Sequence, residues 1–253
     1  MVPVSTCNEM AELYTTAMHR QWSSNQLHGL DPFEMSLIKS YLPDCSGAIA
    51  NVGCGGGRET VAMYSMGYKQ VTGVDLTPAM LDMARQYAKQ HGMPVEFHQG
   101  SAGNLPFDDH SLDAVTMFGN IYGHITPRQE RLSSLREIRR VLKPGGLLLF
   151  NASSRNEAWK PRAYFAFQDL LHVLYNPCRF DSGDKRFKED RSPATPNTPR
   201  HHFFRPREID IDAQECGFTV QLRSTAEAVV TSPRTNATSV RRGGRLVYVL
   251  AAN

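Results

Sequence analysis

Three glycines at alternate positions, Gly53, Gly55 and Gly57, sit where a short apolar run gives way to a helical pattern, in Ala48-Ile-Ala-Asn-Val-Gly-Cys-Gly-Gly-Gly57. Without side chains, the backbone can approach a ligand closely and aim N–H groups at it. Such a turn suits a nucleotide-like group. It is not the dinucleotide fingerprint GxGxxG, because counted from Gly53 the last glycine falls on Arg58, and the Gly-Lys-Ser/Thr ending of a P-loop is missing. Asp75 closes the next apolar run, Val71-Thr-Gly-Val-Asp75. It lies about 20 residues beyond the glycines, the spacing at which a carboxylate accepts hydrogen bonds from ribose hydroxyls. Each feature alone has a structural reading, a tight turn for the glycines and a helix N-cap for Asp75. Together they point to a ribose-bearing ligand.

Positioning these groups takes an alternation of strands and helices. Strands are predicted at 48–52, 71–74, 95–98, 114–118, 147–151, 218–222 and 246–251, from short apolar runs bounded by turn residues. Helices are predicted at about 58–65, 78–90 and 206–216, and from Thr126-Pro127 through Leu132, Leu135, Ile138 and Leu142. Alternation of this kind implies a parallel sheet. Before it come two helices: one carries Met10, Leu13, Tyr14, Ala17, Met18 and Trp22, and the other opens on Asp31-Pro32 and ends at Pro43. The rhythm breaks between Ala152 and Phe204, where an aromatic helix from Ala163 to Tyr175 precedes a polar stretch with Pro193, Pro196 and Pro199. That spacing of prolines predicts an extended segment. The reading is one domain, with a helical cap at 1–45, a ligand-binding core at 46–151, an insertion at 152–205 and a closing helix and strands at 206–253.

Composition narrows the class. With 253 residues and 41% hydrophobic positions the chain can bury a substantial core, and 28 Lys+Arg against 25 Asp+Glu is too balanced to announce a nucleic-acid partner. The five cysteines, Cys7, Cys45, Cys54, Cys178 and Cys216, include no CxxC pair, so neither a disulfide framework nor a zinc site is suggested. His201-His202 lacks acidic or cysteine partners at ligand spacing in the sequence, and no metal is expected. No stretch nears the length of a membrane helix and the N-terminus lacks a signal pattern, so a cytoplasmic protein is expected.

Five blocks in order carry a resemblance: Asn51-Val-Gly-Cys-Gly-Gly-Gly57; Gly73-Val-Asp-Leu-Thr-Pro-Ala-Met-Leu81; Gly100-Ser-Ala-Gly-Asn-Leu-Pro-Phe107; Asp113-Ala-Val-Thr-Met-Phe118; and Leu135-Arg-Glu-Ile-Arg-Arg-Val-Leu-Lys-Pro-Gly-Gly146. Over roughly Ala48 to Phe150 the chain resembles the class I S-adenosylmethionine-dependent methyltransferases, in particular the small-molecule branch of ubiquinone/menaquinone-type enzymes. The resemblance implies a Rossmann-like α/β fold, a seven-stranded mostly parallel sheet flanked by helices. It implies S-adenosyl-L-methionine as methyl donor and S-adenosyl-L-homocysteine as product. It places Gly53, Cys54, Gly55 and Gly57 against the methionyl and ribose part, Asp75 on the ribose hydroxyls, and Leu76 and Met80 beside the adenine. Ser101 and Ala102 would meet the adenine edge, and Phe118 the methionyl end. Asn51 and Ser101 stand where the family often has acidic residues.

Methyl transfer from a sulfonium is an in-line displacement with an activated leaving group, so the protein mainly holds the acceptor about 3–3.5 Å from the carbon. A base is needed only where the acceptor must lose a proton. The catalytic candidates are Tyr122 and His124, in the loop after the fourth strand, and Tyr14 on the first helix, which in the family folds over the cofactor. The alternatives are a helix-capping role for His124 and core packing for the first helix. The insertion, with Tyr164, Phe165, Phe167 and Tyr175 and with 11 Lys/Arg against 6 Asp/Glu between Ala152 and Arg207, is the expected source of acceptor specificity. A small-molecule acceptor is favoured. RNA or protein acceptors, and a cofactor-binding protein without catalysis, are the alternatives; a nicotinamide oxidoreductase is the weakest.

Overall fold

The computed structural model describes residues 29–156, 163–170, 181–186, 200–236 and 244–253. Asp31 and Pro32 open the first helix, α1 (Pro32–Tyr41), where Asp31 N–H donates to Glu34 Oε2 at 2.7 Å in a capping box. Leu37 and Ile38 are fully buried on its inner face. The expected alternation then follows: β1 (Ile49–Val52), α2 (Arg58–Ser65), β2 (Val71–Asp75), α3 (Pro78–Gln90), β3 (Glu96–Gln99) and β4 (Leu112–Met117). After it come α4 (Ile121–His124), α5 (Arg128–Val141), β5 (Leu142–Ala152), a helix α6 over 163–170, β6 (Asp184–Arg186) and β7 (Arg200–His202). The chain closes with α7 (Pro206–Glu215), β8 (Phe218–Thr225), α8 (Ala226–Thr231) and β9 (Leu246–Ala252).

One seven-stranded sheet runs β3-β2-β1-β4-β5-β9-β8, with β9 antiparallel to both of its neighbours and the other described pairs parallel. This is the α/β class the alternation and the resemblance imply. The strand order reverses between β1 and β4, and the crevice beyond the carboxyl ends of those two strands is where open α/β sheets bind ligands. The sheet is buried on both faces: Tyr122, Leu135, Phe150 and Tyr248 belong to one apolar layer, Leu37, Met63 and Leu149 to the other. Truncating one of these fully buried leucines to alanine would cost about 2–5 kcal/mol.

The structure departs from the predicted elements at four places. The first is β5, which begins at Leu142, so Lys143-Pro144-Gly145-Gly146 lies within the strand rather than before it. The second is the loop after β4, where Asn120 at φ 60 starts the short helix α4 and Pro127 becomes the N-cap of α5. The insertion contains an antiparallel hairpin, β6 with β7, that no periodicity announced. Finally, α8 forms between the strands predicted at 218–222 and 246–251, where no helix was predicted, capped by the Thr225 hydroxyl accepting from Ala228 N–H at 3.3 Å. The predicted helix with Tyr14 and Trp22, the triple-proline stretch and Tyr175 lie outside the described residues.

Candidate active site

The turn after β1 is built on left-handed backbone, with φ of 73° at Gly53, 50° at Gly55 and 86° at Gly57, a region that favours glycine. The three differ in what surrounds them. A Cβ on Gly53 would lie 2.6 Å from Ile121 Cγ1, and one on Gly57 would lie 3.0 Å from Ala84 Cβ, so both are squeezed by the protein itself. Among the described residues, a Cβ on Gly55 would meet only Met80 Cε, at 3.4 Å. The open face of the turn is therefore at Gly55. Its N–H donates to Asp75 Oδ2 at 2.8 Å, while Asp75 Oδ1 accepts from Thr77 N–H at 2.9 Å. Asp75 thus latches the glycine turn to the start of α3. Burial raises its pKa, and the N–H donors of Thr77 and Gly55 oppose that rise.

Around this latch the other proposed cofactor residues take different places. Met80 is buried with its methyl toward Gly55, Leu76 is half-buried, and its carbonyl accepts from Gln99 Nε2 at 3.2 Å. Ser101 and Ala102 are half-buried just past β3, where Gly100 N–H donates to Asp75 O at 3.0 Å. Cys54 has its side chain in the core among Val61, Leu81, Ala84 and Phe97. Its N–H donates to Val74 O and its carbonyl accepts from Gly57 N–H, so it shapes the turn through its backbone. Phe118 is 2% exposed and meets Phe33 edge to face at 6.0 Å, in the apolar layer beneath α1. Packing, not a methionyl contact, accounts for it. Asn51, fully interior, donates from Nδ2 to Thr60 Oγ1 at 2.9 Å and so ties β1 to α2.

Tyr122 is corrected by the structure. It is fully buried, stacked on Phe204 at 5.1 Å, and its hydroxyl donates to Asp212 Oδ2 at 3.2 Å. Burial, reinforced by the Asp212 carboxylate, pushes its pKa well up, which disfavours it as a base, and in the core its hydroxyl is engaged by Asp212. Tyr122→Phe is expected to cost about 1 kcal/mol of stability through one neutral-donor hydrogen bond. Asp212 keeps the Arg128 Nε donor at 2.8 Å. Methyl transfer should stay within about twofold of wild type in a side-by-side rate assay, since 1.4 kcal/mol in a barrier is tenfold.

His124 is half-buried at the end of α4, and burial pushes its pKa down to about 4. Its ring meets His201 edge to face at 4.5 Å. His201, which sequence reasoning set aside with His202, reaches this place on β7. The signal for it was absent from the sequence, because the hairpin that carries it has no apolar pattern. His202 does have acidic neighbours in space: Nδ1 lies 2.6 Å from Asp184 Oδ1, and Asp181, Asp184 and His202 place ligand atoms within 4.8 Å of one another. Arg131 Nη2 at 3.1 Å and Arg128 N–H at 2.7 Å already occupy Asp181 Oδ2, so an ion-pair network accounts for the group. Sequence reasoning also passed over Asn151, whose Nδ2 donates to Asn120 Oδ1 at 2.9 Å and fastens β5 to the chain leaving β4.

A doubly wound sheet with a glycine turn at its switch point, latched by a carboxylate on the neighbouring strand, defines a nucleotide-cofactor protein. Comparison with known proteins makes the class specific. The methyltransferase domain family model matches residues 49–146. A ubiquinone biosynthesis O-methyltransferase from Nitrosococcus oceani is 30% identical over 85% of this chain and 82% of its own length. Another of the same name, from Stutzerimonas stutzeri, is 27% identical over 80% and 79%. A methyltransferase from Methanosarcina mazei shares the fold at a TM-score of 0.68, with 21% identity over 88% of this chain and 98% of that one. So does the magnesium protoporphyrin IX methyltransferase of Synechocystis with bound S-adenosylhomocysteine, at 0.60 and 12% identity over 96% and 98%. The chain belongs to the class I S-adenosylmethionine-dependent methyltransferases. It is an enzyme that uses S-adenosylmethionine, which rules out the nicotinamide oxidoreductase alternative.

Proposed function

We propose that this enzyme methylates a hydroxyl of a small-molecule acceptor, with S-adenosylmethionine laid across the glycine turn. The observation that carries the placement is the cradle at Gly55, where a Cβ would meet only Met80 Cε among the described residues while the Gly55 N–H is held by Asp75. Hydroxyl as the acceptor group rests on the relatives of this chain, which are named O-methyltransferases. Gly53, Gly55 and Gly57 form the turn under the methionyl and ribose part, Asp75 receives the ribose hydroxyls, and Leu76, Met80, Ser101 and Ala102 enclose the adenine. The donor supplies a methyl on a positively charged sulfur. The chain orients the acceptor, keeps water from the site and removes the hydroxyl proton, for which His124 is the candidate; Tyr14, outside the described residues, remains the candidate from the N-terminal segment.

Among the described residues no helix is long and apolar enough to cross a membrane, and we place the protein in the cytoplasm as a single functional unit, with no nucleic-acid partner. Asp75→Ala should weaken S-adenosylhomocysteine by about 1–3 kcal/mol in calorimetry, the worth of charge-assisted hydrogen bonds. An unchanged affinity would remove the ribose assignment. The acceptor class is tested by incubating the enzyme with cell extract and S-adenosylmethionine bearing a deuterated methyl. Enzyme-dependent mass shift in the small-molecule fraction, on oxygen, supports the reading; label only in RNA or protein overturns it.

A further inference from the structure

The β6–β7 hairpin of the insertion delivers His201 to the far side of α4. A Cβ on Gly123 would lie 2.6 Å from His201 Cε1, so only glycine lets the ring seat against this helix. There His201 is 6% exposed, with Nε2 3.0 Å from Ser153 Oγ at the end of β5 and its ring edge to face with both His124 and Phe203. Its Nδ1 is buried with no hydrogen-bond partner among the described residues. If Nε2 accepted from Ser153, Nδ1 would carry a buried N–H without an acceptor, the costlier kind of orphan. The favoured tautomer therefore donates Nε2–H to Ser153 and fixes the ring. On the near side of the same four-residue helix, Ile121 packs against Gly53. The same four-residue helix, about 6 Å long, therefore carries the contact to the glycine turn at Ile121 and the His124 ring at its other end.

We propose that His201 is a positioning residue for acceptor deprotonation: held by Ser153, it fixes the ring of His124, whose half-buried face takes the proton of the acceptor hydroxyl. The proposal rests on the hydroxyl-acceptor reading above. In the step, a lone pair of the hydroxyl oxygen forms the new C–O bond, the C–S pair returns to sulfur, and the O–H proton passes to the His124 imidazole. Positive charge leaves the sulfonium and reappears on the imidazolium, so the site's net charge is unchanged. Burial pushes His201 down to about 3, with His124 and His202 opposing its protonation further. The two imidazoles, with ring centroids 4.5 Å apart, thus enter the reaction neutral, and only His124 takes the proton. The insertion would then be part of the catalytic apparatus as well as a wall for the acceptor.

The test follows deuterated-methyl transfer into the small-molecule fraction from pH 5.5 to 9.5 for wild type, His124→Gln, His201→Phe and His201→Gln, with S-adenosylhomocysteine affinity measured beside each. His124→Gln should lose about 100-fold at pH 7, a typical general-base contribution, and recover toward pH 9.5 as the acceptor ionises unaided. His201→Phe, which keeps the ring but not the link to Ser153, should lose about tenfold with the same pH dependence, and His201→Gln should restore part of it. Cofactor affinity should stay within about threefold throughout. If His201→Phe fails to fold, Ser153→Ala must show the same pH signature. Variants of wild-type rate, a loss equal at every pH, or a parallel loss of cofactor affinity would overturn the proposal. No label from wild type would instead sink the hydroxyl-transfer reading, and this one with it.

Discussion

Gly55→Asp is expected to weaken S-adenosylhomocysteine by more than about 100-fold, leaving no calorimetric signal, while the protein keeps its fold. Gly55 has φ +50°, and among the described residues a Cβ there would meet only Met80 Cε. Aspartate tolerates left-handed backbone better than most residues, so the turn survives the substitution. Its carboxylate would stand beside that of Asp75, which already accepts the Gly55 N–H at 2.8 Å, and would fill the space assigned to the ligand. Like charges at this separation, away from bulk water, cost several kcal/mol. Gly55→Ala gives the contrast: strain of about 1–2 kcal/mol and only an ordinary contact with Met80. At Gly53 the same alanine would strike Ile121 and show itself in stability rather than in binding. Retained affinity in Gly55→Asp would move the cofactor off the turn.

That contrast also marks the limit of what the sequence discloses. Strand, turn and helix around Gly53–Gly57 were legible because local periodicity and glycine chemistry are written in consecutive residues, and the seven strands follow from the same signal. Which glycine faces a ligand was not, since Ile121 and Ala84 reach the turn only through tertiary packing. Tyr122 misled for a related reason. Its position after a central strand suits catalysis, but its hydroxyl partner is Asp212, on α7, 90 residues away. Cys54 and Phe118 carry the family pattern while their side chains pack inward. His201 was hidden because β6 and β7, three residues each, are polar strands such as Arg200-His-His202, with no alternation to reveal them.

The residue that breaks the dinucleotide fingerprint, Arg58, has a structural task that no motif expresses, and removing it is expected to cause the largest stability loss. Its guanidinium takes both oxygens of Glu34 at 2.9 Å, the Glu59 carboxylate, and the Gly29 carbonyl at 2.5 Å, pinning the entry of α1 to the end of the glycine turn. Both carboxylates are nearly inaccessible, with side chains 1% and 8% exposed. Burial lifts Glu34 to about 7 even with Arg58 beside it, and burial lifts Glu59 as well. In the unfolded chain both ionise near the ordinary glutamate value of about 4.3, so above that pH the folded state holds more protons and stability falls as pH rises through about 7. Arg58→Met keeps the stem and leaves two buried acids without their cation. The expected cost is about 3–5 kcal/mol at pH 8, measured by denaturant unfolding. At pH 5 the deficit should shrink to about 1–2 kcal/mol, because the buried acids of the folded variant can then take up protons at little cost, pH 5 lying close to the unfolded glutamate value of about 4.3, and lost hydrogen bonds make up most of what remains. A deficit of the same size at both pH values would mean that packing, not uncompensated charge, is what Arg58 supplies at the edge of the glycine turn.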